Sequence, residues 1–372
     1  MNTSTETEEV TTKKQAAVAM SVAAGFTGGS PLRAGGDLVI EQIRTIDAPR
    51  VFHPGSDDTG GFVEDFGVTT AFDFSPRSQA LVAVMEKVNA PTRLFVFDLL
   101  KGTIKFQPII SASGRPQISA IGLSPDGGTA AIPMGEDQQI ALWNVATGTL
   151  IVQAAVDDSV GDVHWHPAGQ TLAVVVGKNV EIWQFASGAL TKQRSIRASR
   201  SPTEFPMAVR WSPDGEYLSI GTNAPAVYIS KGNAQSPALT PATKGAVYMV
   251  EWNAAGDRLA AAGFGEGGEI SIWSDPKQAV DSPFDRKYDL LHSIPPPAGQ
   301  PWHKLTWDPA GQLLAFGEMS TLDIRDAASG SLLKSITAHP KSAVLEAHWK
   351  GDSLVTVGAF PDKDFRIWRV TR

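Results

Sequence analysis

Seven histidines are the chain's only imidazoles, and two of them flank a tryptophan in His164-Trp165-His166. Alternate side chains of an extended strand share a face, so this is the spacing of a metal-binding pair. His166 leads into Pro167, however, and neither a carboxylate nor a third imidazole lies within residues 163–170. A turn hydrogen bond and strand-face packing are expected there instead. Glu346 and His348, with His303 elsewhere in the chain, are the residue types of a general base and its orienting acid. Gly263 to Gly268 reads G-x-G-x-x-G, yet two strand patterns frame it and no helix start follows to receive a phosphate. A hairpin is expected. The absence of cysteine excludes a disulfide framework, a thiolate zinc site and a Cys nucleophile. No P-loop, H-E-x-x-H or G-x-S-x-G occurs. Asn2-Thr3-Ser4 is a glycosylation triplet. The inventory implies no cofactor and no metal, and the reading is a protein that is not an enzyme.

The elements that must position these residues repeat. An aromatic or apolar anchor followed by Ser/His/Asp-Pro and usually Gly recurs at Phe74, Leu123, Trp165, Trp211 and Trp307, with looser copies at Trp252 and Trp349. The anchors stand 41 to 55 residues apart, a period that signals a ring of four-stranded units rather than two enzyme domains. Each copy reads as a strand into the anchor, a Pro/Gly turn, a small-residue strand, a third strand and an outer strand. The third strands are 93–97, 139–143, 179–183, 226–229, 269–273, 321–325 and 365–368. The fold class is therefore all-β, a seven-bladed β-propeller of four-stranded antiparallel blades.

Seven third strands leave the last blade without an outer strand, because the sequence stops soon after residue 368. An open ring would leave raw sheet edges, so Leu38–Arg44 is expected to pair with Phe365–Val370. Residues 1–36 are expected to form a disordered or weakly helical tail, and 37–372 a single propeller. An insert at 275–287 explains the 55-residue step and is expected to loop out ahead of an outer strand at 288–294.

Charge bounds the partners. Lys plus Arg number 32 and Asp plus Glu 39, so the net charge is 32 − 39 = −7, which disfavours polyanions. One local exception is Lys192, Arg194, Arg197 and Arg200, with no acid between Glu181 and Glu204; it is read as a solvated outer strand. Lys13-Lys14 precede a weakly apolar run, Ala16 to Phe26, too short to span a bilayer. A cytoplasmic protein is expected, with export through a weak N-terminal signal as the alternative.

These residues make the chain resemble the WD-repeat propeller family over residues 37–372. The Ser-Pro-Asp-Gly turns at 124–127 and 212–215 carry the likeness, as do third strands ending at Trp143, Trp183, Trp273 and Trp368. The Trp-Asp pair itself is never complete. Of the family's His, Ser/Thr, Asp and Trp tetrad, the seventh unit retains His339, Asp362 and Trp368, with Gly358 at the expected hydroxyl place. Packing rather than polar networks is therefore expected to hold the blades.

The resemblance implies a non-catalytic platform that binds a protein or peptide on its loop face and central channel mouth, acting as a monomeric propeller without nucleic acid or a membrane span. In the family, the residue four before the anchor sits at the channel top. That assigns Thr70, Ser119, Gly161, Met207, Tyr248, His303 and Leu345. Loops add Trp302, Phe264, Met319 and Phe360. The expected partner-binding set is Met207, Tyr248, Phe264, Trp302, His303, Met319, Leu345 and Phe360. Two alternatives stand beside it: a subunit of a larger assembly docking through outer strands and the 275–287 insert, and a hydrolase- or lactonase-like propeller enzyme with a channel site.

Overall fold

Each repeat folds as anticipated because its small-residue strand is flanked by two apolar ones, so both faces of the blade are buried against neighbours. The computed structural model describes residues 38–47, 50–53, 62–65, 68–86, 91–112, 118–135, 137–198, 201–232, 238–239, 244–265, 268–281, 289–295, 305–359 and 362–371. Seven antiparallel sheets make up the blades. Their innermost strands are Val68–Ser75, Gly122–Leu123, Val160–Trp165, Pro206–Trp211, Ala246–Trp252, Leu305–Trp307 and Val344–Lys350. Blade 1 carries a fifth short strand, Ile109–Ser111, and a separate hairpin joins Arg50–His53 to Phe62–Asp65. The sequence pattern gives no sign of that hairpin.

The turn chemistry explains the repeated phrase. In blades 2 and 4, Ser124 and Ser212 donate to Asp126 and Asp214 in the Pro-Asp turn, and the following Gly127 and Gly215 adopt φ of 73° and 76°. The half-matched second position of the Trp-Asp pair caps the next turn. Asp98, Asn144 and Asp326 each accept two backbone N–H bonds from residues two and three further on. Asn144 thus caps its turn as an aspartate would, without the charge.

Seven apolar clusters fill the seven gaps between blades, so the core is a ring rather than a ball. The seam between blades 7 and 1 is the most aromatic, with Phe72, Phe74, Phe95, Phe97 and Phe365 buried together. Phe72 meets Phe365 edge-on at 5.5 Å. Val39–Ile46 closes blade 7 against Phe365–Thr371, from Val39 opposite Thr371 to Ile46 opposite Phe365, with one bulge between Gln42 and Arg44. The anticipated closing strand is therefore present, two residues longer at its end.

One expectation is corrected in blade 7. Trp368 Nε1 donates to Thr356 Oγ1 at 3.0 Å, His339 Nε2 lies 3.0 Å from the same hydroxyl, and His339 Nδ1 is 3.5 Å from Asp362 Oδ2. The hydroxyl is Thr356, not a position lost to Gly358. Thr356 pairs with Arg366 and Leu354 with Trp368, so the indole reaches its partner on the ladder diagonal. Gly358 contributes by lacking a side chain, since a Cβ there would collide with Asp362 O and stand 2.6 Å from His339 Nδ1. Its bareness lets the network close. Blade 7 is thus held by a polar network centred on Thr356 as well as by packing. In blade 3, Trp183 Nε1 donates instead to Glu181 Oε2 at 3.0 Å, while Trp143 and Trp273 find no partner among the described residues.

Candidate functional site: channel wall and entry rim

The innermost strands put two sets of residues around the axis, and one bulge separates them. The residue directly before each anchor points into a cavity of about 290 Å³, which is lined by Asp73, Gly122, His164, Arg210, Glu251, Thr306 and His348, one per blade. None of the described positions four before an anchor lines that cavity. The ladder between first and second strands shifts at Thr70, Met207, Tyr248 and Leu345, each an extra residue on its strand. A β-bulge re-aims the side chain it carries, and these four sit where the first strands begin. That end of the ring is called the entry face below.

Two imidazoles and two acids, Asp73 and Glu251, therefore occupy a channel whose mouth positions carry one histidine and no acid. Carrying the mouth position along the repeats does not reveal the wall, because the bulge between them shifts the register. These wall groups are already engaged across the blade gaps. Asp73 Oδ2 accepts Leu123 N–H at 3.0 Å, and Lys350 Nζ donates to Asp73 Oδ1 at 2.6 Å. His164 Nδ1 accepts Trp211 N–H at 3.1 Å, while Asp162 Oδ2 accepts Val209 N–H. Arg210 bridges Asp162 at 2.5 Å and Glu251 at 2.7 Å. Thr306 Oγ1 accepts Trp349 N–H, and Glu346 Oε2 accepts Phe72 N–H at 2.9 Å. Trp165 and Trp307 indoles donate to the Gly122 and Glu251 carbonyls. Every gap has at least one such stitch, while His348 Nε2 on the wall is buried without a hydrogen-bond partner.

The electrostatics follow. Burial raises the Asp73 carboxyl, but Lys350, then His348, together with two hydrogen bonds, outweigh it and leave Asp73 below its ordinary pKa. Burial foremost, then Arg210, pushes His164 down to about 3. With Nδ1 accepting, the neutral ring carries its proton on Nε2. Arg210 is desolvated, yet Asp162 and Glu251 hold it firmly protonated.

Among the described residues this arrangement assembles neither the dyad nor the metal pair drawn from sequence. His348 Nε2 is 3.8 Å from Glu346 Oε2, beyond hydrogen-bond reach, and that carboxylate already holds a backbone N–H. His164 lines the channel. His166 instead accepts Ala168 N–H on Nδ1 and places Nε2 3.1 Å from Gly215 O, the anticipated turn role. Among the described residues no group of three or more His, Asp or Glu could hold a metal ion. Gly263 and Gly268 are tied by Gly263 N to Glu269 O and Gly268 N to Gly265 O, as a hairpin requires.

The entry rim is different in kind. Tyr248 and Phe264 of blade 5 meet edge-on at 5.4 Å, and both are exposed, at 43% and 47%. The bulge turns Tyr248 outward, and Ala246 opposite Phe264 puts both at the same end of the blade. Gly245, at φ 79°, is required here, since a Cβ would collide with Phe264 O. Phe205 before blade 4 and Met319 in the blade 6 hairpin are exposed at the same end. Met207 is half-buried, and Leu345 is half-buried against the seam core. Trp302, His303 and Phe360 lie outside the described residues. Phe205 is absent from the expected set; its only signal in the sequence is an apolar residue between Glu204 and Pro206, just ahead of a strand.

The described half of the insert is committed inside the ring. Its short helix, Gln278–Asp281, buries Ala279 and packs Val280 on the core between blades 4 and 5. Asp281 takes the Tyr217 hydroxyl and Lys231 Nζ, and Lys277 Nζ reaches Asp214 at 2.5 Å.

A ring of seven four-stranded blades with inter-blade stitches at its axis defines a β-propeller platform. No protein-family model matches the chain. A stretch of 133 residues is 28% identical to periodic tryptophan protein 2 of Arabidopsis thaliana, covering 35% of this chain and 14% of that one. A stretch of 104 residues is 32% identical to WD repeat-containing protein slp1 of Schizosaccharomyces pombe, covering 27% of this chain and 20% of that one. The chain thus matches only a small part of either relative's length. Its fold is that of the Myceliophteria thermophila Cps50 (Swd1) beta-propeller domain, with TM-score 0.69 and 14% identity over 87% of this chain and all of that one. A chain of the mitotic checkpoint complex matches with TM-score 0.70 and 18% identity over 92% of this chain and 96% of that one. The chain is a seven-bladed β-propeller, with stretches similar to WD-repeat proteins. Among the described residues no helix is long and apolar enough to cross a membrane.

Proposed function

We propose that the chain is a non-catalytic protein- or peptide-binding scaffold whose contact surface is the entry face over blades 4 to 6. The carrying observation is the exposed Tyr248–Phe264 pair, flanked by Phe205 and Met319. Clustered exposed aromatics suit a partner's apolar side chains, since Tyr and Phe supply large contact area at low entropy cost. Met207, half-buried, and Leu345 frame the surface rather than lead it, and Trp302, His303 and Phe360 belong to the proposed set by their place in the repeats. A solved structure of similar fold comes from the mitotic checkpoint complex, which favours a protein partner for this surface.

Affinity capture with the full chain tests it. Tyr248→Ala with Phe264→Ala should release the partners retained by the wild type while leaving the thermal melt unchanged. Equal retention by the double variant would refute the site. The assembly reading keeps the outer strands as its surface, but residues 275–281 of the insert are occupied against blade 4. A channel enzyme is disfavoured because the wall's acids and His164 are engaged in blade-to-blade bonds.

A further inference from the structure

One imidazole of the channel wall makes no hydrogen bond among the described residues. His348 lies mostly buried between blades 7 and 1, with Nδ1 3.9 Å from Asp73 Oδ1 and Nε2 3.8 Å from Glu346 Oε2. Both gaps are beyond hydrogen-bond reach, and Phe72 meets the ring edge-on at 4.7 Å. A buried polar group of this kind calls for a partner. His348 lines the axial cavity of about 290 Å³. That cavity runs to Pro125 and Pro167 in the anchor turns, so it faces the end of the ring opposite the entry face.

The charged groups around it are engaged with one another. Lys350 holds Asp73, and Arg210 holds Asp162 and Glu251. No unpaired charge on the described wall is therefore left to select a charged ligand. The groups that stay open are of both hydrogen-bonding senses. His164 accepts Trp211 N–H on Nδ1, which leaves its Nε2–H as a donor without a described partner. Thr306 Oγ1 accepts Trp349 N–H and keeps its own proton to give. Glu251 meets Arg210 through Oε1, so Oε2 remains an acceptor. The channel is narrow enough to bring these together, since the charges of Asp73 and Lys350 on blades 1 and 7 bear on His164 of blade 3. Ile121, Val163, Leu305 and the Trp165 and Trp349 side chains supply apolar surface in the same lining.

We infer that the channel binds an uncharged polyhydroxyl ligand the size of one sugar ring or cyclitol. A hydroxyl both donates and accepts, so it can meet either kind of open group. An anion would meet only the donors and a cation only the acceptors, and each would leave the remaining groups unpaired. The C–H faces of such a ring suit the apolar patches and the indoles. A volume of about 290 Å³ is at the small end of ligand cavities, which fits one ring rather than a nucleotide or an oligosaccharide. The site is independent of the entry-face reading.

Saturation-transfer NMR and calorimetry on the full chain test it, with D-glucose, D-galactose, D-mannose and myo-inositol as neutral probes. Their phosphate esters and the 2-amino hexoses serve as charged counterparts. At least one neutral probe should bind, and its charged counterparts should bind more weakly. His348→Phe keeps a ring against Phe72 and removes only the ring nitrogens. It should weaken binding by about three- to tenfold, the scale of one neutral hydrogen bond, with the thermal melt unchanged. His348→Gln, which returns a hydrogen-bonding group, should recover part of that loss. Tyr248→Ala with Phe264→Ala should leave binding as it was, which separates this site from the entry face. No binding of any neutral probe, tighter binding of a phosphate ester or an amino sugar, or binding indifferent to His348→Phe would each overturn the inference.

Discussion

The seam between blades 7 and 1 and the sector of blades 4 and 5 use the same strands for opposite ends. At the seam, five phenylalanines and a closing strand from the other end of the chain converge, and the Thr356 network braces the opposite face of blade 7, toward blade 6. In the sector, blade 4 has a two-residue described outer strand, an insert helix is strapped across it, and aromatic side chains face outward at the rim. Both sectors carry a bulge four residues before the anchor, at Leu345 and at Tyr248. Leu345 folds back onto the seam core, whereas Tyr248 stays exposed. The ring thus concentrates its cohesion where the chain's ends meet and leaves side chains exposed where cohesion is less needed.

The largest effect should come from opening the seam. Deleting residues 1–46 removes a strand whose Ile46 is buried and whose Ile40 and Ile43 pack on blade cores. Burying such side chains stabilises by about 1.5–3 kcal/mol each, and a raw sheet edge is left behind. The thermal midpoint should fall sharply or cooperative unfolding should vanish, whereas deleting residues 1–30 should leave the melt nearly unchanged. Equal melts for the two truncations would break the comparison at its stronger side.

Next comes Thr356→Val, which keeps the shape of blade 7 on its blade 6 face and removes one hydroxyl. Trp368 Nε1 and His339 Nε2 would lose their partner in a fully buried place. An orphaned buried polar group costs about 1–3 kcal/mol, so chemical denaturation should show a loss in that range. The analogous Ser219→Ala in blade 4, whose hydroxyl makes only a long 3.4 Å contact to Arg210 O, should cost less.

The same network sets a pH dependence. Burial foremost holds His339 near a pKa of about 4, against an ordinary value of 6.5. Below pH 6.5 the unfolded chain takes up a proton that the folded chain refuses, so stability falls as pH falls from 6.5 toward 4. Above 6.5 neither state is protonated and the contribution is constant. His164, pushed to about 3, acts with the same sign and extends the slope downward. His339→Gln should lower stability at neutral pH and give a shallower decline between pH 6.5 and 4. A slope unchanged by that substitution would mean that His339 is not the group that sets it.

Much of this is legible in the sequence, and the limits are physical. Anchors, turns and the missing outer strand are one-dimensional features, so seven blades and the Leu38–Arg44 closure can be read from spacing. A bulge is not written in any periodicity. It inserts a residue without changing the alternation on either side, so the wall residues Asp73, His164, Arg210 and Glu251 stay hidden behind the mouth positions. Thr356 escapes for a related reason: its bond to Trp368 runs along the ladder diagonal, and counting back from strand ends finds Gly358 instead. Tyr248 and Phe264 differ from these, because position in the repeat alone assigns both to one end of the blade.

The smallest expected effect belongs to the insert strap. Asp281 is partly exposed and takes Tyr217 and Lys231, and its carboxyl lies below its ordinary pKa because those two partners outweigh the effect of burial. Asp281→Asn keeps the size and a hydrogen-bond acceptor but removes the charge that Lys231 needs. Solvent-exposed ion pairs contribute little, so the global melt should barely shift. Local opening is the sharper measure. Amide exchange across Tyr217–Thr222 and Val227–Lys231 should speed up in the variant, while exchange across Phe365–Thr371 at the seam stays as it was. Acceleration at both places would mean that the ring opens as one unit and that the contrast between its sectors is only one of appearance.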